Sequence, residues 1–212
     1  MAFLQHIKPM LLDERPFDLH APGWAYEIKF DGYRLMAEFG QGKCVLKTRN
    51  GANATGWFPE ITRPLSNIKL FPEGPYVVDG EFCVIDTQGR SDFDRLHARA
   101  KRRSWYGGSG PVTFCVFDLL LANGADQAAI PYLERNERLQ RLFQPSLPGI
   151  LYVGHFESDR DLLFKAELLP LELEGLVAKK ADSIYEPGVR SSDLVKVGRQ
   201  DAVPSERFKS RS

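Results

Sequence analysis

Lys29 stands two residues before Asp31-Gly32 in the stretch Glu27-Ile28-Lys29-Phe30-Asp31-Gly32-Tyr33-Arg34, which puts a primary amine where a strand runs into a turn. An amine with an ordinary pKa of about 10.4 is almost wholly protonated at neutral pH, so a nucleophilic role needs desolvation or nearby positive charge. Arg34 and a second lysine from far along the chain are candidates to supply that charge. A neutral lysine attacking phosphorus gives a phosphoramidate, which keeps the phosphoryl group activated for a later acceptor. That is the chemistry of nucleotidyl transfer. Taken alone, Lys29-Phe30-Asp31-Gly32 is equally ordinary hairpin chemistry, so the rest of the chain must decide.

The elements that must position the amine follow from the pattern of apolar residues. Ala25 to Val45 reads as two strands around Asp31-Gly32, then the turn Gly40-Gln41-Gly42-Lys43 and a third strand through Thr48. Phe58-Pro59-Glu60 opens a helix with Ile61, Leu65 and Ile68 at helical spacing. Tyr76 to Ile85 reads as a strand interrupted by Asp79-Gly80-Glu81, whose two carboxylates ask for a reason. A helix over Asp92 to Lys101, a strand over Val112 to Leu121 and a turn at Ala122-Asn123-Gly124 follow. After these come a helix over Leu133 to Phe143, a strand over Leu151 to Phe156 and a helix over Asp159 to Leu169. Glu174 to Lys180 reads as a strand, Ala181 to Ser192 as irregular and Leu194 to Val197 as a last strand. Residues 199–212 carry little apolar content and read as a flexible tail or severed linker after one domain over 1–198.

The chain has 212 residues, enough for one substantial core, with 43% hydrophobic and 26% charged residues and a formal charge of zero. A pI near 6.9 does not advertise a nucleic-acid binder, so any basic surface must be local, as in Lys101-Arg102-Arg103. Cys44, Cys83 and Cys115 are odd in number, lie in apolar stretches and lack the short spacing of a zinc or redox motif, which suggests buried reduced thiols. No apolar run approaches the roughly 20 residues that span a bilayer, and no signal segment is apparent. The expectation is a cytoplasmic protein without a membrane partner.

Five later segments stand in a telling order: Thr48-Arg49-Asn50-Gly51, Val78-Asp79-Gly80-Glu81, Phe114 to Leu120 with Phe117-Asp118, Glu174-Gly175-Leu176-Val177-Ala178-Lys179, and Leu194-Val195-Lys196-Val197. With the Lys29 motif they resemble the adenylation domain of ATP-dependent DNA ligases, and more broadly the covalent nucleotidyltransferases that include RNA ligases and mRNA capping enzymes. The resemblance runs from about Trp24 to Val197. Arg49-Asn50-Gly51 leading to Phe58-Pro59-Glu60-Ile61, and Tyr185-Glu186-Pro187-Gly188-Val189-Arg190-Ser191, bring it nearest to the bacterial double-strand-break-repair type.

The resemblance implies an α+β fold of two antiparallel β-sheets flanked by helices, ATP-grasp-like, with a nucleotide pocket between the sheets. It implies that Lys29 attacks the α-phosphate of ATP, expels pyrophosphate and becomes a lysyl-adenylate. Glu27 and the backbone around Ile28 would border adenine, and Phe117 would stack on it. Arg34 and Arg49 would hold ribose and phosphate oxygens with their planar forks. Glu81 would contact ribose or help bind metal, and Glu174 would ligate Mg²⁺ (or Mn²⁺), a hard cation suited to carboxylates. Lys179 and Lys196 would bring positive charge to the α-phosphate region. Plainer readings stand beside these: Arg49 as a surface turn, Glu174 as an edge charge paired with Lys179 or Lys180, Phe117 as core.

Some positions depart from the family pattern. Its last motif usually has a tryptophan where Leu194 stands and a second lysine where Gly198 stands; Arg199 is not equivalent to that lysine at a tight phosphate site. Asn53 stands where related bacterial ligases often carry an acidic residue. Residues after Gly198 are too few for the OB-fold domain that follows in these ligases. The expected substrate is nicked or broken double-stranded DNA, with sealing weak unless a separate OB-fold or repair protein completes the site. Alternatives are an RNA ligase or capping-type guanylyltransferase core, or a catalytically impaired scaffold that binds nucleotide or DNA ends.

Overall fold

Two hairpins are written into the sequence by residues that tolerate positive φ. Gln41 (φ 52°) and Gly42 (φ 73°) close one, and Asn123 (φ 49°) and Gly124 (φ 77°) close the other. Between and around them, a computed structural model describes residues 3–70, 72–156 and 174–198. In chain order the strands and helices are β1 (Leu11–Asp13), β2 (Trp24–Ile28), β3 (Tyr33–Gly40), β4 (Lys43–Thr48), α1 (Pro59–Asn67), β5 (Tyr76–Val84) and α2 (Phe93–Arg102). They continue as β6 (Val112–Ala122), β7 (Ala125–Asp126), α3 (Tyr132–Leu142), β8 (Ile150–Tyr152), β9 (Gly175–Lys180) and β10 (Arg190–Gly198).

The strands form two sheets. One has the order β1-β10-β9-β2; the other has β4-β3-β5-β6-β7, with β8 beside β6. Strand alternation sorts side chains between a helix-covered face and the face toward the other sheet. In the larger sheet Leu35, Ala37 and Phe39 of β3, Val78 and Phe82 of β5, and Phe114 and Val116 of β6 pack with Ile61 and Leu65 of α1, Leu96 of α2 and Leu139 of α3. The intervening positions Arg34, Asp79, Glu81, Cys115 and Phe117 are thereby turned to the opposite face. In the smaller sheet Tyr26, Leu176, Ala178 and Val195 form a separate apolar cluster. The alternate positions Glu27, Lys179 and Lys196 are left on the face that meets the larger sheet.

Residues 29–32 alone connect β2 of one sheet to β3 of the other. Gly32 is required there, since a Cβ would lie 2.1 Å from the Phe82 carbonyl oxygen. The β5–β6 ladder carries a bulge: Asp79 faces Asp118 while Gly80 faces Val116, so Phe117 is the extra residue. A side chain at position 80 would run into the Phe114 ring at 2.4 Å and the Cys115 carbonyl at 2.5 Å, so a glycine there lets the strands close up beside the bulge.

The helices start and stop as their termini dictate. Pro59 opens α1 and Glu60 follows in its first turn. The Asp92 side chain accepts from the Arg95 backbone N–H at 3.0 Å to cap α2, which ends at Arg103 in the left-handed conformation (φ 53°).

The expectation of antiparallel sheets holds for the ladders around the cleft, but two edge pairings are parallel, β1 with β10 and β6 with β8. Strand β10 begins at Arg190 rather than Leu194, because Arg190 and Ser191 pair with Leu11 and Leu12, a tertiary partner that the local sequence does not announce. The strand expected over Leu151 to Phe156 is regular only as Ile150–Tyr152, with Phe156 in an isolated bridge to Tyr26. Cys83 and Cys115 are buried and Cys44 half-buried, all three as free thiols. The helix expected over Asp159 to Leu169 and the tail 199–212 lie outside the described residues.

Candidate active site

Lys29 continues the β2–β9 ladder by one bond, its backbone N–H donating to the Gly175 carbonyl at 2.9 Å, which brings it level with Glu174. Its ammonium donates to Glu174 Oε2. Lys196, on the same face of β10, reaches the other oxygen, Glu174 Oε1, at 3.6 Å. One carboxylate therefore sits between two ammonium groups, all three side chains half-buried. A carboxylate shared this way holds both cations beside one point while leaving each partly open to an incoming anion.

The facing sheet contributes a second arrangement. Arg34 makes a bidentate pair with Asp79, Nε to Oδ1 at 3.1 Å and Nη2 to Oδ2 at 2.7 Å, and Tyr185 donates its hydroxyl to Asp79 Oδ2 at 2.6 Å. This answers the question of a carboxylate inside the strand, for Asp79 is wholly buried. The Arg34 guanidinium lies 5.3 Å from the centre of the Phe117 ring that the bulge turns toward the cleft.

Glu81 faces Arg34 across the β3–β5 ladder. Burial pushes its carboxyl up to about 8, against the opposing pull of Arg34 and Lys29 and with Asp79 and Asp31 adding to the rise. A carboxyl raised in the fold from its ordinary 4.5 contributes stability that is complete below that value and lost as pH rises through about 8. Without nucleotide or metal, the melting temperature is expected to fall between about pH 5 and pH 8.5, and Glu81→Gln is expected to flatten that fall. Parallel melting curves for the two proteins across this range would contradict the assignment.

Lys179 is placed differently from Lys196, with which sequence reasoning grouped it. Its ammonium is buried, 2.8 Å from Glu27 Oε2 and 3.0 Å from the Phe117 carbonyl, with the Phe117 and Tyr132 rings at 4.9 and 4.7 Å. The reason is the register, which puts Lys179 opposite Ala25 and Val177 opposite Glu27, so the long lysine side chain reaches along the sheet to the buried carboxylate. Tyr132 donates to Glu27 Oε1 at 2.6 Å. Burial pushes the Glu27 carboxyl up, with Lys179 and Tyr132 opposing.

The structure thus gathers Lys29, Glu174 and Lys196 at one point, Arg34, Glu81 and Phe117 on the facing sheet, and the buried pair of Glu27 with Lys179 between α3 and the smaller sheet. Ile28 turns away, into the outer apolar cluster of the smaller sheet. Arg49 is exposed in the turn after β4, its backbone N–H donating to the Arg34 carbonyl at 3.0 Å, and among the described residues its guanidinium makes no ion pair. Sequence reasoning missed Tyr132 and, while quoting Tyr185 within a matching stretch, gave its hydroxyl no role. It also missed the buried Arg135–Asp118 pair, Nε to Oδ1 at 2.7 Å, which anchors α3 beneath the cleft. Arg135 lies in a charged helix and reads as solvent-facing; only its partner Asp118, inside an apolar strand, gave a signal.

Among the described residues no group of three or more His, Cys, Asp and Glu side chains converges, so they build no all-protein metal cage. Mg²⁺ needs none: it keeps several waters and binds through one or two carboxylates together with substrate phosphates. Glu174, in contact with Lys29, and Glu81, once ionised, are carboxylates and so hard oxygen donors of the right kind. The donor set suits Mg²⁺ or Mn²⁺.

Comparison with known proteins bears on these observations. Residues 10–197 match the family described as ATP dependent DNA ligase domain. The bifunctional non-homologous end joining protein LigD of Bacillus subtilis is 30% identical over 216 residues, covering 92% of this chain and 34% of that protein. The multifunctional LigD of Pseudomonas aeruginosa is 34% identical over 177 residues, covering 82% of this chain and 20% of that protein. Among solved structures, mycobacterial DNA ligase D complexed with ATP and MES superposes with a TM-score of 0.78 at 28% identity, over 92% of this chain and 61% of that one. The chain thus spans about a third or less of these two curated relatives. Matched over nearly its whole length and sharing the two-sheet architecture, the chain belongs to the ATP-dependent DNA ligase domain family.

Proposed function

We propose that this chain is the catalytic core of an ATP-dependent DNA ligase. Lys29 takes AMP from ATP, the AMP passes to a 5′-phosphate at a DNA nick or break, and a 3′-hydroxyl displaces it as the strands join. The observation that carries the reading is the Glu174 carboxylate held between the ammonium groups of Lys29 and Lys196.

In the first step the Lys29 ammonium releases a proton to solvent and its neutral nitrogen attacks the α-phosphorus; the N–P bond forms, the bond to the bridging oxygen breaks, pyrophosphate leaves, and the nitrogen sheds a second proton to solvent. Lys196 faces the negative charge that develops on the phosphoryl oxygens. Arg34, locked by Asp79 and Tyr185, offers its remaining N–H groups to ribose or phosphate, and exposed Arg49 is free to reach the substrate. Phe117 gives the base an aromatic face, with Glu27, fixed by Lys179 and Tyr132, at its polar edge. Glu174 and Glu81 would hold Mg²⁺ or Mn²⁺, which when bound offsets charge on the phosphate oxygens. The mycobacterial structure with ATP supports the choice of nucleotide.

Nicked or broken duplex DNA is the partner we assign to the sealing steps, with an OB-fold or repair domain completing the site, and the cytoplasm is the compartment. No helix among the described residues is long and apolar enough to cross a membrane.

The test is incubation with α-labelled ATP and Mg²⁺ followed by denaturing electrophoresis. The expected product is a labelled chain whose phosphoramidate is labile to acid, stable to alkali and discharged by added pyrophosphate. GTP is expected to give no adduct, which separates this reading from a capping-type enzyme. Retention of ATP without a covalent product would overturn the reading in favour of a binding scaffold.

At Gly198, where relatives place a second lysine, a Cβ would meet nothing within 4 Å. Gly198 shares its face of β10 with Lys196. Gly198→Lys is therefore expected to raise the initial rate of adduct formation about tenfold, the equivalent of about 1.4 kcal/mol of transition-state stabilisation. An unchanged or lower rate would show that the missing cation does not limit the step.

A further inference from the structure

From Arg95 to Phe117 the chain contains no Asp or Glu, while Arg95, Arg99, Lys101, Arg102 and Arg103 fall within it. In a protein of zero formal charge this is a marked local excess. Arg99 is buried and paired through Nη2 with Glu60 at 2.9 Å, so it belongs to the fold. Lys101, Arg102 and Arg103 are exposed at the C-terminal end of α2, and among the described residues none of them pairs with a carboxylate.

Two of the three are already ordered without neutralisation. The Arg102 guanidinium lies 4.0 Å from the Tyr106 ring centre and that of Arg103 lies 5.2 Å from the Trp57 ring centre. Stacking fixes the plane of each guanidinium while leaving its N–H edge open, which lowers the entropy cost of gripping a phosphate. Beside them Trp105 is 62% exposed, an unusual place for a large aromatic and one suited to lying against a sugar or base.

The other end of α2 touches the nucleophile's own loop. Ser91 Oγ accepts from the Asp31 backbone N–H at 3.2 Å, Phe93 packs edge-on against Tyr33 at 5.6 Å, and His97 Nδ1 meets the Tyr33 hydroxyl. The ten residues of α2 span about 14 Å along its axis. That is about four steps of 3.4 Å along one DNA strand.

We propose that Lys101, Arg102, Arg103 and Trp105 form a docking surface for the sugar-phosphate backbone of duplex DNA, about four base pairs from the joint being sealed. The surface deepens the ligase reading and rests on it. Its contribution is electrostatic and sequence-independent, and it holds the duplex in line with Lys29 while the first chemical step proceeds without it.

The experiment uses the full chain and a nicked duplex labelled with a fluorophore, titrated at several salt concentrations. Replacing Lys101, Arg102 and Arg103 together by alanine is expected to weaken binding at least about tenfold at moderate salt. It is also expected to reduce the slope of log K against log[salt] by about 2.7, at about 0.9 per lost phosphate contact. In a parallel titration with unlabelled duplex, tryptophan emission is expected to fall on binding and Trp105→Phe to remove most of that fall; an unchanged fall would take Trp105 out of the surface. A charge-matched control, with the exposed Lys43, Lys69 and Arg141 replaced by alanine, is expected to keep the wild-type affinity.

Wild-type affinity and slope in the first variant, an equal loss in the control, or no duplex binding by the unaltered chain would each overturn the surface. Adduct formation with labelled ATP, measured on the same samples, reports on the ligase reading separately. An adduct without patch-dependent DNA binding refutes the surface alone; absence of the adduct refutes the reading beneath it.

Discussion

Lys29→Ala is expected to leave no labelled adduct with ATP at any pH, and Lys29→Arg is expected to be equally inactive. The pair of variants separates two roles that the geometry could assign to this side chain. If it served only as a cation opposite Glu174, arginine would preserve the contact and most of the function. A guanidinium is never deprotonated at accessible pH and has no lone pair to offer phosphorus, so a nucleophile's role is lost in both. An equal signal from either variant would remove Lys29 from the chemistry, and Lys196 would be the next nitrogen to examine. Because Lys29 lies in a short loop with its side chain half-buried, neither substitution is expected to unfold the chain; an unchanged melting curve confirms that the loss is chemical.

Asp79→Ala carries the second large effect, on stability. It leaves the Arg34 guanidinium without the carboxylate that takes two of its hydrogen bonds, and the Tyr185 hydroxyl without its acceptor. Removing one partner of a buried ion pair costs about 3–5 kcal/mol, because the remaining charge is stranded. At about 2–4 °C per kcal/mol for a chain of this size, the melting temperature should drop by about 6–20 °C. Tyr185→Phe leaves the ion pair but removes two hydrogen bonds, one to Asp79 and one from the buried Met10 N–H at 3.0 Å, so it should cost about 1.5–3 kcal/mol for the bond to the charged group and about 1–3 kcal/mol more for the stranded donor. Urea unfolding of both variants checks these costs; an Asp79→Ala protein that loses less than about 1 kcal/mol would mean that Arg34 finds water or another acceptor.

Residues whose role is local were the legible ones. Lys29 and Gly32 are set by the turn they occupy, Asp92 by the helix it caps, and Asn123-Gly124 by the positive φ of a two-residue hairpin. Glu174 and Lys196 could be named from their motifs, and their meeting with Lys29 followed once adjacent strands were in register. What stayed hidden depends on partners distant in sequence. Lys179 looked equivalent to Lys196, since both are lysines in apolar strands, and only the register and the depth of Glu27 separate them. Tyr132, Arg135 and Tyr185 gave no local sign of burial, because a charged helix face and a polar loop look the same whether they meet solvent or the buried acids Glu27, Asp118 and Asp79. The parallel pairing of β1 with β10 joins the two ends of the described chain and leaves no periodic trace.

The Lys29 amine sits on the strap of residues 29–32, a four-residue covalent tie between the smaller sheet, which carries Glu174's strand and Lys196, and the larger, which carries Arg34 and Phe117. Rocking of one layer over the other would carry that strap with it, so in the proposed reaction the approach of nitrogen to phosphorus would depend on the spacing of the layers. A nucleotide touching both would set the reach of its own attacker.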